Sequence, residues 1–373
     1  MIVKFSPWSH EIYHKSEHPE YVAIRNIVSQ NRQHTFTLVG KGGTRYEHFG
    51  EKGISFYNIR SKTKFEFLFS FFLEFELAFL SKPRIIVAAG ATSILPVGIA
   101  SILTRARLIP LLTGEIGYDL SQYPKPLRKM LKFFLKTALL KAYAVLAVSE
   151  SVKKETIDNY GIDSNKVFVY KYKISDIFNP HVPRDLKPLL NPHGPIVLTV
   201  ARMSPEKGLI YLVEAARIVV NNIPDVKFVI KAFLSSKKYE EKIRDLIHQY
   251  NLQKHFVVLG GSPYSEMPKY MAAADVFALP SISEGLGLVV LEALATGVPV
   301  VASRVGGIPD ILIHEYNGLL VEPRDVEGLA EAIVRILSDD KLKRRLIEGG
   351  LATVQRTTEN GIEKLLSKLI FDK

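Results

Sequence analysis

The chain contains no cysteine. That absence excludes disulfides and thiolate metal sites. No leader is visible either: Met1-Ile2-Val3-Lys4-Phe5-Ser6-Pro7-Trp8 has no apolar core of useful length. There is no internal repeat and no low-complexity segment. No cluster of histidines or carboxylates has the spacing of a metal site, and no module interleaves basic with aromatic residues in the manner of a nucleic-acid binder. Charge is missing from one long run, residues 85–104, which has the length to cross a bilayer. Gly90, Thr92, Ser93, Pro96, Gly98 and Ser101 interrupt it. It reads instead as a buried strand (85–89), a small-residue turn and a helix from about residue 94.

What is present describes a globular protein. Hydrophobic residues make up 47% and charged residues 23%, and 373 residues suffice for two domains. Basic charge is uneven. Residues 1–178 hold 25 Lys+Arg against 15 Asp+Glu, while the remainder holds 24 against 23, so nearly all of the net +11 lies in the first half. Such an imbalance suits an anionic membrane, nucleic acid or an anionic substrate. Strand-like and helix-like runs alternate throughout, which predicts parallel sheets with helices on both faces. Strands are expected at 196–201, 226–232, 256–259, 276–279 and 298–302, and in the first half at 35–39, 85–89, 108–112 and 144–148. Five prolines between Asn179 and Pro195 mark a linker. The expected division is a first domain over 1–178, a linker over 179–195 and a second domain over 196–373.

One segment says more than the rest: Pro280-Ser281-Ile282-Ser283-Glu284-Gly285-Leu286-Gly287-Leu288-Val289-Val290-Leu291-Glu292. It follows a strand and opens a helix. Eight helical residues would put the two glutamates roughly 80° apart, so Glu284 must sit in the turn itself if both are to face one ligand. Gly285 and Gly287 let backbone approach a ligand. A helix start offers unpaired N–H groups and a positive dipole end, which suit phosphate. A nearby carboxylate can accept from two sugar hydroxyls, as the acidic residue of dinucleotide folds does for ribose. These features describe a place for a phosphorylated sugar.

The segment resembles the glutamate–seven–glutamate motif of retaining glycosyltransferase family 4, the glycosyl transferases group 1. The likeness extends through Glu292-Ala293-Leu294-Ala295-Thr296-Gly297-Val298-Pro299-Val300, Gly306-Gly307-Ile308-Pro309-Asp310 and Asn317-Gly318-Leu319-Leu320-Val321. It implies the α/β GT-B fold: two Rossmann-like domains whose parallel sheets face each other across a cleft, the first binding acceptor and the second the nucleotide sugar, with the last helix able to cross back to the first domain. Residues 200–208, Val-Ala-Arg-Met-Ser-Pro-Glu-Lys-Gly, look like that family's basic element, with Ala201 where glycine is usual. By this resemblance Arg202 and Lys207 neutralise the leaving diphosphate, Glu284 orients the donor sugar, Glu292 holds the ribose, and Ser281, Gly285, Leu286, Gly287 and Leu288 line the donor site. The activity implied is retaining, metal-independent transfer of a hexose-like sugar from a nucleoside-diphosphate sugar to a glycan or lipid-linked acceptor, with no cofactor bound and no nucleic acid partner.

The first domain departs from the pattern. Ser6–His14 replaces a glycine-rich acceptor loop, and Thr113-Gly114-Glu115 stands where a histidine is common, so Glu115 becomes the acceptor-side candidate. His10, His14 and His18 read as surface histidines, with the cleft as the alternative. Lys125, Arg128, Lys129, Lys132 and Lys136 fall within about 100° of a helical wheel. Leu127, Met130, Leu131, Phe134, Leu135 and Ala138 occupy much of the rest. Two readings stay open: a helix with its apolar face on the sheet and lysines in water, or one lying on an anionic bilayer, helped by the aromatic run 65–73. The expected location is the cytoplasm, with peripheral attachment at the inner membrane face under the second of these readings. The competing functions are another GT-B activity, such as a sugar-nucleotide epimerase or a phosphorylase, or a nucleotide-sugar-binding protein without transfer.

Overall fold

The computed structural model describes residues 2–6, 27, 29, 36–43, 47–51, 54–60, 72, 74–114, 116–121, 123–233, 237–357 and 362–371. It divides into two compact units, Met1–Tyr172 with Asn360–Lys373, and Lys173–Glu359. The 362–371 helix thus belongs with the first unit, and its Ile362 N–H donates to Lys171 O at 3.0 Å.

The first unit is built on strands β1 (Ile2–Ser6), β2 (Phe36–Gly43), β3 (Glu47–Glu51), β4 (Ile54–Arg60), β5 (Ile85–Ala89), β6 (Arg107–Leu112), β7 (Val145–Ala147) and β8 (Val167–Val169). They form one sheet in the order β3-β4-β2-β1-β5-β6-β7-β8, parallel except for the antiparallel pair β3–β4. The uncharged run does divide as its small residues dictate, into β5 and the helix Ala91–Thr104. Among the described residues no helix is long and apolar enough to cross a membrane. The 91–104 helix packs closely on the helix Lys125–Lys141: a Cβ added at Gly98 would lie 2.6 Å from Ala138 Cβ.

That second helix buries only Leu135, Ala138 and Leu139. Leu127, Met130 and Phe134, which the simpler sequence reading places against the sheet, are exposed, as are Phe133 and Leu140. At 100° per residue the buried trio defines one side, and Phe133 and Leu140 lie roughly opposite it, with Met130 close by. Lys125, Lys129, Lys132 and Lys136 occupy one flank between these two lines. Arg128 does not join them freely, since its Nη2 donates to Ser121 O (2.9 Å) and Tyr123 O (3.1 Å).

The second unit carries β9 (Ile196–Arg202), β10 (Lys227–Phe233), β11 (Phe256–Leu259), β12 (Val276–Leu279), β13 (Val300–Ser303) and β14 (Leu319–Val321). Their order is β11-β10-β9-β12-β13-β14, all parallel. Strand β9 shows why the sequence reads as an unbroken apolar run: Val197 packs into one core layer, while Ile196, Leu198 and Val200 pack into the layer on the other face. A parallel strand covered on both faces has no polar side to alternate with. The proline-rich 179–195 stretch packs within this unit. Arg184 and Lys187 both pair with buried Asp275, Arg184 at 2.9 Å. Burial pushes the Asp275 carboxyl up, but hydrogen bonds from Lys187, Arg184 and the Ile196 N–H outweigh it and hold the group below its ordinary value.

In sequence rank the six strands run 3-2-1-4-5-6. The order reverses between β9 and β12, and in such sheets ligands bind in the crevice beyond the carboxyl ends at that point.

Candidate active site

Both loops of the sequence motifs arise at this reversal. The Arg202–Lys207 loop leaves β9, and the Glu284 turn follows β12. They are joined by backbone as well as side chains: Ile282 N–H donates to Glu206 O at 2.8 Å. Gly208 allows the approach. Its φ is +62°, and a Cβ there would lie 1.9 Å from Pro280 O, so no side chain fits without moving one loop off the other. Gly287, at φ +84°, begins the helix Leu288–Ala295, and a Cβ there would meet Ile308 Cδ1 at 2.3 Å. The 306–310 run supports the glycine turn from that side, through Gly307 N–H to Gly285 O at 3.1 Å.

Glu284 sits in the turn, 8% exposed. Its Oε1 accepts from Lys207 Nζ at 2.6 Å and from Ser281 Oγ at 2.7 Å. The ion pair is largely shielded, with 16% of the Lys207 side chain exposed. Arg202 is placed differently. It pairs with Glu206 at 3.0 Å, and Ser204 Oγ donates to the same carboxylate. Half of the Arg202 side chain remains in solvent. The two basic residues of one loop thus end in two environments, Lys207 enclosed against Glu284 and Arg202 held open by Glu206.

Glu292 is the fifth residue of its helix and only 4% exposed. Among the described residues its side chain is met by the Tyr264 hydroxyl, which donates at 2.7 Å. Burial pushes the carboxyl up to about 7, with the tyrosine hydrogen bond pulling the other way. Desolvation disfavours the charged form, and one neutral donor does not compensate. The site therefore holds two carboxylates of one motif in contrasting states, one matched by a cation and one nearly unmatched.

Glu206 and Tyr264 are the residues that sequence reasoning does not find. Glu206 lies inside the basic element, but nothing in the string marks it as the clamp on Arg202. Tyr264 precedes Glu292 by 28 positions and reaches it only through the sheet. Glu115 lies outside the described residues, as do Ser6–His14 beyond Ser6, His18 and all of the aromatic run except Phe72. Among the described residues no group of three or more histidines or carboxylates is arranged to hold a metal.

Comparison with known proteins places this arrangement. The description "Glycosyl transferases group 1" matches residues 185–352, and "Glycosyltransferase Family 4" matches residues 28–170. The chain belongs to the group 1 glycosyltransferases, a family of the GT-B class. It is 36% identical over 152 residues to a GDP-mannose-dependent alpha-(1-6)-phosphatidylinositol monomannoside mannosyltransferase of Mycobacterium tuberculosis, covering 39% of each. It is 33% identical over 186 residues to the UDP-Gal:alpha-D-GlcNAc-diphosphoundecaprenol alpha-1,3-galactosyltransferase of Escherichia coli, covering 47% of this chain and 46% of the other. The match therefore spans less than half the length of these curated relatives. In fold the chain is similar to Anabaena HepE solved with UDP-glucose, with a TM-score of 0.74 at 19% identity over 99% of this chain and 98% of the other.

Proposed function

We propose that the protein is a retaining glycosyltransferase that moves a sugar from a nucleoside-diphosphate sugar to a glycan or lipid-linked acceptor. The observation that carries this is the enclosed Lys207–Glu284 pair at the carboxyl-end crevice between β9 and β12, beside the start of the 288–295 helix. Breaking a glycosyl–phosphate bond puts negative charge on the diphosphate and positive charge on the sugar ring. Lys207, Arg202 and the backbone amides at Gly287 and Leu288 would stabilise the former. Arg202 is suited to bind from solvent, since Glu206 fixes its guanidinium fork without burying it. Glu284 would receive the sugar's hydroxyls, and Glu292 the ribose. The positive charge the step needs comes from the chain's own side chains, so the reading is of a metal-independent enzyme. Glu115 remains the acceptor-side candidate.

The relatives support the donor class by the donors they are named for, GDP-mannose and UDP-Gal, and the Anabaena neighbour by its UDP-glucose. Phosphatidylinositol monomannoside and a diphosphoundecaprenol sugar, the other substrates in those names, support a lipid-linked acceptor. The 125–141 helix suits such a role: lysines flank an outward apolar line, which fits an anionic bilayer surface.

The test is a panel of UDP-, GDP- and ADP-sugars, with release of nucleoside diphosphate and the anomeric form of the product both read. One donor should be consumed, with retained configuration, and E284Q should abolish turnover while still binding nucleotide. An inverted product overturns the retaining assignment. Tight binding without hydrolysis or transfer, across acceptors, would favour a sugar-nucleotide-binding protein instead.

A further inference from the structure

We propose that Lys231 reads the base of the donor nucleotide and selects bases with a carbonyl edge, uracil or guanine, over adenine. The inference rests on the donor reading above and extends it to a residue outside the motifs. Lys231 lies in β10, where alternation sends Phe228, Ile230 and Ala232 to one core layer and Val229 to the other. Lys231 falls on the Val229 side, the side of Tyr264, Tyr270 and the 288–295 helix. It is 4% exposed. Its ammonium donates to Gly260 O and stands 4.5 Å from the centre of the Tyr270 ring. Among the described residues no carboxylate pairs with it. Burying an ammonium without a counter-charge is costly, and one carbonyl with one ring face offsets only part of that. An apolar residue would make the more stable strand here. Ser262 Oγ, in the loop after β11, is likewise shielded and has no hydrogen-bond partner among the described residues.

Position along the site indicates what such groups await. Lys207 and Glu284 mark the sugar end, the 288–295 helix start the phosphates, and Glu292 the ribose. Tyr264, bonded to Glu292, ends the short loop that begins at Gly260, the partner of Lys231. The next part of a nucleotide beyond its ribose is the base. A lysine can only donate. Uracil and guanine present a carbonyl oxygen where adenine presents an amino donor, so adenine would set donor against donor.

The experiment compares UDP, GDP and ADP affinities by calorimetry for wild type, K231M and K231Q. Wild type should bind UDP or GDP at least 10-fold more tightly than ADP. K231M should lose most of that preference, with ADP affinity unchanged, and K231Q, still a donor, should keep part of it. Equal weakening of all three nucleotides would place Lys231 on the shared diphosphate and overturn the proposal, as would unchanged UDP and GDP affinities in both variants or a wild-type preference for ADP. Wild type that binds none of the three would instead overturn the donor reading itself.

Discussion

Two helices of this molecule bury their surfaces in opposite ways. The 288–295 helix buries six of its eight residues, and the anomaly within it is polar: Glu292, enclosed with a tyrosine hydroxyl. The 125–141 helix buries three of seventeen, and the anomaly on it is apolar: Phe133 is 67% exposed and Met130 49%. Each helix thus carries, on its unexpected side, a group that its own unit does not satisfy. A buried carboxyl pushed up to about 7 costs stability, and so does a phenyl ring in water. Neither is explained by packing. We propose that something outside the fold completes each environment, a ribose in the first case and a lipid surface in the second.

The largest effect should come from the enclosed ion pair beside the first of these helices. K207M removes a charge that would stabilise the leaving diphosphate, and turnover should fall on the order of 100-fold or more. It also strands Glu284 without its cation, which should cost about 3–5 kcal/mol of stability. The double variant K207M/E284Q separates the two effects. Its melting temperature should recover much of the loss while turnover stays low. If activity returns with stability, the pair is structural only, and the contrast between a functional and a merely buried group disappears.

Glu292 gives the next effect. Its folded value of about 7 lies above the ordinary 4.5, so the folded chain holds a proton that the unfolded chain has released. Stability from this group is complete below about pH 4.5 and is lost as pH rises through 7, by about 3 kcal/mol in all. E292Q does not titrate. It should therefore match or fall below wild type near pH 5 and be the more stable of the two at pH 8.5. Ribose hydroxyls donate to the ionised form and favour it. Wild-type nucleotide affinity should then climb through pH 7, while that of E292Q is weak and flat. Parallel stability curves from pH 5 to 8.5 would show that Glu292 is not strained in the folded state.

Much of this contrast was legible in the string, but unevenly. Strands β5, β11 and β12 fall where their apolar runs begin and end, because a parallel strand covered on both faces needs an uninterrupted run. The motif turn was legible because glycines and a helix start leave few conformations open. The hairpin β3–β4 has no signal in the sequence pattern. Glu47–Glu51 reads EHFGE, which is too polar for a strand by periodicity and is held at the sheet edge by backbone pairing. The partners of the site residues were not legible either. Tyr264 and Glu292, or Lys207 and Glu284, meet through the sheet order, which local pattern does not encode. On the 125–141 helix the wheel gave the lysine flank correctly but not the direction of the core. Leu127, Met130 and Phe134 look the same on a wheel whether they face a sheet or a solvent.

The smallest effect, and the one that bears on the second helix, concerns how the protein would hold to a bilayer. Lysines alone give adsorption, each contributing about 1 kcal/mol near an anionic surface. That attraction fades with salt as the Debye length falls from about 10 Å at 0.1 M to about 3 Å at 1 M. The outward line of Phe133, Met130 and Leu140 adds a second component that salt does not weaken, because it removes apolar area from water. Flotation with phosphatidylglycerol vesicles distinguishes the two. Wild type should bind at 0.1 M salt and retain part of its binding at 1 M. Replacing Met130, Phe133 and Leu140 with serine should weaken binding on the order of tenfold and make the remainder fully salt-sensitive. Replacing Lys125, Lys129 and Lys132 with glutamate should do the reverse, lowering binding at 0.1 M more than at 1 M. All six positions belong to the first unit and the donor-site residues to the second, so nucleotide affinity should stay at the wild-type value. Wild type that stays in solution with anionic vesicles at 0.1 M salt would return the helix to an ordinary surface element and make a free glycan the better acceptor.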